Sequence, residues 1–284
     1  MTELQKIDLQ SSSASWRMRG GHGLSLEAII LAGGLGTRLR SVVSDVPKCM
    51  APVNGIPFIN FIITYLKKEG VDRFIFSLGY KSEIVIDYVN KTFPDLEIVY
   101  VIEDTPLGTG GAIKLACSKA TSTDVLILNG DTLFNINLKD LSEFHTDKKA
   151  DFTVALKEMR NFSRYGAVEI DNNYAIKAFN EKKYCEQGFI NGGVYALNVK
   201  RFMSEALPDV FSFEKDFLEK HIGRKKFYGL ECEYYFIDIG IPEDYDRFIR
   251  DFNLIFDKSK YHNKDLGDFI GELFFEGLLS IFTD

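Results

Sequence analysis

The run Ala28-Ile-Ile-Leu-Ala32 is apolar without interruption and stops at Gly33-Gly34-Leu-Gly36. Such a run fits a strand buried on both faces, the habit of a parallel sheet covered by helices. The residues that follow are Thr37-Arg38-Leu39-Arg40 and then Pro47-Lys48. Glycines let backbone N–H groups approach a polyphosphate with no Cβ in the way. Arg38 and Lys48 bring positive charge to its oxygens. The glycine spacing excludes two common alternatives. The chain contains no Gly-x-x-x-x-Gly-Lys-Ser/Thr run, and Leu39 stands where a dinucleotide fingerprint needs its third glycine. A nucleoside triphosphate docked at the end of the first strand is the expectation.

The pattern downstream extends that strand into a sheet. Phe58, Phe61, Ile62, Tyr65 and Leu66 repeat at helical spacing, and Gly70 closes the helix. Residues 73–78 read as a strand, Ser82 as the cap of a helix through Val89, 97–102 as a strand, 111–120 as a helix and 125–128 as a buried strand. This alternation predicts an α/β fold, Rossmann-like and doubly wound, with ligands at the carboxyl ends of a mainly parallel, mixed sheet. Residues 151–157, 166–170, 175–179 and 194–197 read as strands of a smaller β-rich extension suited to hold a sugar, and 213–221 and 243–256 read as helices. The expected organisation is a disordered leader (1–25), one domain (26–256) with a nucleotide half (26–145) and a sugar half (146–256), and a helical tail (257–284).

Composition removes other classes. A net charge of −7 argues against a general nucleic-acid binder. No apolar run is long enough to cross a bilayer, and the leader lacks the apolar core of a secretory signal. Cys49, Cys117, Cys185 and Cys232 are scattered without metal-like pairing and read as reduced thiols of a cytoplasmic protein. Leu266, Phe269, Ile270, Leu273, Phe274, Leu278 and Ile281 fall near helical spacing in the tail. A helix packed on its own domain is the preferred reading. A membrane-surface helix would carry basic residues on its polar face where this one carries acids, and a homodimer contact stays open.

The second chemical signal is Leu126-Ile-Leu-Asn-Gly-Asp-Thr132. A carboxylate just past a buried strand faces the crevice, and Asp131 is a natural oxygen ligand for Mg2+, although Asn-Gly-Asp also suits a plain turn. Mg2+ takes one or two carboxylates plus phosphate oxygens, and Phe236-Ile-Asp238-Ile-Gly240 supplies the second.

Taken together, Leu31-Ala-Gly-Gly-Leu-Gly-Thr-Arg-Leu39 and Pro47-Lys48 closely resemble the signature of the sugar-1-phosphate nucleotidylyltransferases, and the resemblance covers nearly the whole chain. Arg40-Ser-Val-Val-Ser-Asp-Val-Pro47, Pro106-Leu-Gly-Thr-Gly-Gly111, Asn191-Gly-Gly-Val-Tyr195 and Asp238-Ile-Gly-Ile-Pro242 are most similar to the branch that uses GTP and a heptose 1-phosphate. The resemblance implies nucleotide contacts at Leu31, Ala32, Gly33, Gly34, Gly36 and Thr37, and makes Asp131 and Asp238 the metal ligands. It assigns Arg38, Lys48, Asp131 and Lys182 to catalysis, and Gly166, Glu181, Lys182 and Asn191 to the sugar phosphate. Glu103 becomes the base reader and Gly108 the point of close approach to the ring. A carboxylate accepts from both guanine N1–H and its N2 amino group, which favours GTP; Asp104 is the neighbouring alternative. On its own, Glu181-Lys182-Lys183 reads as a solvated face. Cys49 departs from the family, which usually has proline there.

The implied reaction joins GTP and a sugar 1-phosphate into an NDP-sugar and pyrophosphate, with Mg2+ as cofactor. UTP or TTP with mannose, glucose or N-acetylmuramate 1-phosphate remain alternatives, as does a non-catalytic nucleotide-sugar-binding subunit. His22, His145, His221 and His262 fit no catalytic arrangement.

Overall fold

The computed structural model describes residues 26–256, apart from 35, 37, 40, 41, 44 and 181, with side chains described through 252. The expectations for the leader, the tail, Thr37 and Glu181 lie outside the described residues. In chain order the strands are β1 (Leu26–Ala32), β2 (Pro52–Val53), β3 (Ile56–Pro57), β4 (Val71–Leu78), β5 (Glu97–Ile102), β6 (Asp124–Asn129), β7 (Thr132–Phe134), β8 (Phe152–Phe162), β9 (Ala167–Ile170), β10 (Ile176–Phe179), β11 (Cys185–Asn198), β12 (Phe227–Glu231) and β13 (Phe236–Asp238). The helices are α1 (Phe58–Lys68), α2 (Ser82–Thr92), α3 (Gly108–Cys117), α4 (Leu138–Asp147), α5 (Val199–Met203), α6 (Glu219–His221) and α7 (Pro242–Phe256).

Nine strands form one mixed sheet. Strands β5, β4, β1 and β6 lie side by side and parallel. From β1 the chain moves outward through β4 and β5, then returns to the other side of β1 with β6. The order therefore reverses between β1 and β6, and in open α/β sheets ligands bind at the carboxyl ends of strands at such a reversal. Gly33-Gly34 and Gly130-Asp131 emerge there. The long antiparallel β11 continues the sheet. Its second half pairs with β6 and its first half with β9, and a register break between Asn191 and Tyr195 separates the two. The sheet forks at this break, beside the end of β6.

Alternation along β1 builds the core on both faces. Ala28, Ile30 and Ala32 pack with α1, α2, α4 and α7, whereas Ile29 packs with α3, α5 and the Phe213–Leu218 turn. Residues before and after 145 contribute to both clusters.

Four local expectations need correction. Lys81, not Ser82, occupies the cap position of α2, in a left-handed conformation (φ 52°) with no side-chain cap bond. Helix α3 begins at Gly108 rather than 111. Strands β8 and β11 run well beyond 151–157 and 194–197 and pair with each other out to Phe162 and Cys185, in a stretch that mixes buried Phe162 and Ile190 with exposed polar residues such as Arg160 and Glu186. Phe213–Leu218 winds as a π-helix before the single turn of α6, which buries Phe213, Phe217 and Leu218 together.

Candidate active site

A cleft at the β1/β6 reversal is lined by Leu31, Ala32, Gly34, Gly36, Arg38, Lys48, Cys49, Gly130, Asp131 and Gly240. Its floor is fixed by backbone bonds. Gly130 N–H donates to the Leu31 carbonyl at 2.8 Å, which ties the two strand ends together. Gly36 takes φ +60°, a left-handed conformation that an L side chain adopts at a cost, so the chain turns back toward Lys48. A Cβ there would lie 3.1 Å from Lys48 Cβ.

Asp131 and Asp238 are brought together by a small ribbon. Antiparallel β7 and β13 pair Thr132 with Asp238, so Asp131 lies one residue from the register. Ile239 N–H donates to the Asp131 carbonyl at 3.0 Å and Gly240 N–H to Asp238 Oδ1 at 2.7 Å. Lys48 faces both carboxylates. Its Nζ hydrogen-bonds Asp131 Oδ2 and lies 3.7 Å from Asp238 Oδ1. A Cβ on Gly240 would fall 2.8 Å from that ammonium and 2.7 Å from Asp238 Oδ1, so a larger residue there would displace the ion cluster.

The electrostatics show crowded negative charge. Burial and the neighbouring Asp131 carboxylate hold the Asp238 carboxyl above its ordinary range, against the pull of Lys48 and the Gly240 N–H. Burial, then Asp131, push the Cys49 thiol up to about 12, so this cleft-lining cysteine stays protonated at neutral pH.

The other expected site residues that the structure describes are not among those that line the cleft. Glu103 Oε2 accepts from Leu107 N–H at 2.9 Å, and Oε1 lies 2.7 Å from where a Gly33 Cβ would sit. The carboxylate is thus beside the glycine turn, whereas Asp104 is exposed. Gly108 takes φ +71°, and the space before it is filled by the Phe211 carbonyl, 2.6 Å from a Cβ placed there. Its first role in this fold is packing. Gly166 lies against the Asn180 carbonyl, 2.5 Å from a Cβ placed there. Asn191 sits at the fork in the sheet and accepts from Gly193 N–H at 2.9 Å. Lys182 is exposed beyond β10.

Sequence reading missed Gly130 and Gly240 as site residues, although each adjoins a singled-out aspartate. Tyr195, near the fork in the sheet, is a core residue rather than part of the cleft. This buried tyrosine is held protonated by burial, then by the Glu214 charge, with the Asn191 and Asn129 side chains acting against them.

The chain belongs to the nucleotidyl transferase family, whose sequence profile matches residues 27–252. It is 53% identical over 220 residues to the D-glycero-α-D-manno-heptose 1-phosphate guanylyltransferase of Aneurinibacillus thermoaerophilus, covering 78% of this chain and 95% of that protein. It is 44% identical over 224 residues to the enzyme of the same name from Campylobacter jejuni, covering 79% and 99%. The crystal structure of HddC from Yersinia pseudotuberculosis complexed with GMP-PN superposes with a TM-score of 0.73 at 40% identity, covering 80% of this chain and 99% of that one.

Nucleotidyltransferases generally use a divalent metal ion, and the residues present fit one. Two carboxylates converge on a single cation, the Lys48 ammonium, and Asp238 is under-neutralised. No group of three or more His, Cys, Asp or Glu side chains suited to a metal exists among the described residues. The protein would therefore supply two oxygen donors and leave the remaining positions to phosphate oxygens and water, which is how Mg2+ is commonly held.

Proposed function

We propose that this chain transfers a guanylyl group from GTP to D-glycero-α-D-manno-heptose 1-phosphate, giving GDP-heptose and pyrophosphate for a bacterial surface glycan. The observation that carries the reading is the single cleft holding the glycine turn, Arg38, Lys48 and Asp131 with Asp238 alongside. The 53% identity to a heptose 1-phosphate guanylyltransferase supports the choice of sugar and nucleotide.

An oxygen of the sugar phosphate attacks the α-phosphorus as the bond to the bridging β-oxygen breaks, and pyrophosphate leaves with that electron pair. The attacking oxygen is already ionised at neutral pH, so no general base is needed. Catalysis then consists of alignment and charge neutralisation. In this reading the backbone of Leu31 through Gly36, with Thr37, cradles the nucleotide. Arg38 neutralises the departing pyrophosphate. Lys48 swings from its two aspartates toward the reacting phosphate, and Lys182, Glu181, Gly166 and Asn191 hold the sugar phosphate. Mg2+, held by Asp131 and Asp238, would supply further positive charge to the phosphate oxygens. Cytoplasmic reaction fits the four cysteines, which are free thiols.

The test is a pyrophosphate-release assay that crosses GTP, UTP and TTP with heptose, mannose and glucose 1-phosphates. GTP with the heptose phosphate should give the highest kcat/KM. Faster turnover with another pair would replace the substrate assignment, and no release with any pair would end the catalytic reading.

A further inference from the structure

The loop between β8 and β9 carries three consecutive residues that reach three different places. Gly166 abuts the Asn180 carbonyl, just before the stretch assigned to the sugar phosphate. The Tyr165 ring packs edge-on to Phe236 of β13, with centroids 5.9 Å apart. Its hydroxyl is held protonated by burial, then by the charge of Asp238. Arg164 crosses to the first turn of α7, where its Nη2 hydrogen-bonds Asp244 Oδ2. Asp244 is 8% exposed, and Arg247 Nε lies 3.5 Å from its other oxygen.

The Arg164 side chain is 46% exposed, and an ion pair with so open a partner adds little to folding stability. What the pair does is geometric. It fastens the sugar-half loop to the helix that begins four residues after Asp238. Tyr165 lies between the two fastenings.

We propose that Arg164 and Asp244 are a positioning pair, which presses the Tyr165-Gly166 loop onto the Asp238 turn and so sets the sugar-phosphate side of the cleft in register with the second metal carboxylate. This rests on the nucleotidyl-transfer reading of the site. Neither residue touches a reacting atom. Their effect passes through Tyr165 to Asp238 and through Gly166 to Asn180.

The variants are Arg164→Gln, Arg164→Lys, Asp244→Asn and the double Arg164→Gln/Asp244→Asn. Two measurements are made on each: affinity for Mn2+ alone, by water-proton relaxation, and steady-state kinetics with GTP and the heptose phosphate. Arg164→Gln and Asp244→Asn should each weaken Mn2+ binding about tenfold, the low end for groups that orient metal ligands. They should raise KM for the heptose phosphate and leave KM for GTP unchanged. Arg164→Lys should recover most of the loss, and the double variant should be no worse than the worse single one. Variants that melt lower yet bind Mn2+ and the sugar phosphate as wild type does would overturn the proposal, since the pair would then be only structural. Should Arg164→Gln fail to fold, Arg164→Lys and Asp244→Asn still decide it. Should wild type form no nucleotide sugar, the catalytic reading falls while the Mn2+ comparison still tests the pair.

Discussion

The reading of the base can be tested against the hydrogen bonds that Glu103 already makes. A carboxylate has about four lone-pair sites, and one on Oε2 is taken by Leu107 N–H at 2.9 Å. Guanine N1–H would go to Oε1, on the glycine-turn side, and the N2 amino group to the second lone pair of Oε2. ITP lacks that amino group. With ITP, Oε2 still holds Leu107 N–H, so no acceptor is left bare. The loss is then that of one hydrogen bond to a charged acceptor, about 1.5–3 kcal/mol, or about 12- to 150-fold in kcat/KM. Glu103→Gln should cost more. Its amide oxygen stays on Leu107 N–H, which turns the NH2 group toward guanine N1–H, donor against donor. That loses the charge-assisted bond to N1–H and also leaves a buried donor unsatisfied, which together cost about 3 kcal/mol or more, at least about 150-fold in kcat/KM for GTP. UTP should lose less, because an amide donor suits a uracil carbonyl. The assay is pyrophosphate release with GTP, ITP and UTP on wild type and variant at saturating heptose phosphate. An ITP penalty larger than that of Glu103→Gln with GTP would refute the bonding scheme. An unchanged GTP rate in the variant would move the base reader to Asp104 or the backbone.

Four further outcomes follow from the site and its surroundings. Asp238→Asn should abolish most turnover while leaving the melting temperature unchanged or higher. Its carboxyl is held above the ordinary range, so the native state binds more protons than the unfolded one and ionisation lowers stability as pH rises through the native pKa. By the same sign, lowering pH toward that pKa should weaken Mg2+ activation, seen as a rightward shift of the metal-activation curve. Arg38→Ala should lower kcat more than it raises KM for GTP; a pure KM effect would make Arg38 a ground-state anchor. Lys148→Ala should leave kinetics intact. It removes an ammonium 5.5 Å from each of the Phe144, Tyr174 and Tyr228 ring centroids and should lower the melting temperature by about 2–4 °C, the shift expected for about 1 kcal/mol in a domain of this size.

The parallel half of the fold was legible because each strand is an apolar run closed by glycine or a polar turn, as at Ala28–Gly33 and Leu126–Gly130. The second half was less so. β8 and β11 were read short, since their outer stretches mix buried apolar residues such as Phe162 and Ile190 with exposed polar ones in no regular alternation. The aromatic strand before Asp238 was legible and is β13, but β7 and its pairing with β13 left no local trace. A three-residue strand such as β7 lies below any periodicity signal, and the pairing is long-range. Arg38, Lys48 and Asp131 were legible from charge beside glycine and from a carboxylate past a buried strand. Glycines placed for packing look the same in sequence as glycines placed for a ligand. Gly108, with the Phe211 carbonyl before it, is the case in point.

The β7–β13 ribbon also sets an order of assembly. A chain emerging from the ribosome can build the glycine turn, Lys48 and Asp131 once β6 is out. Asp238 arrives only with β13, after β11 has closed the open side of β6. Until then Lys48 has a single carboxylate partner among the site aspartates, and the cleft has no second donor for a cation. With Asp238 as the proposed second metal ligand, catalytic competence would be a late event of synthesis: a nascent or truncated chain would hold a nucleotide's phosphates without being able to spend it.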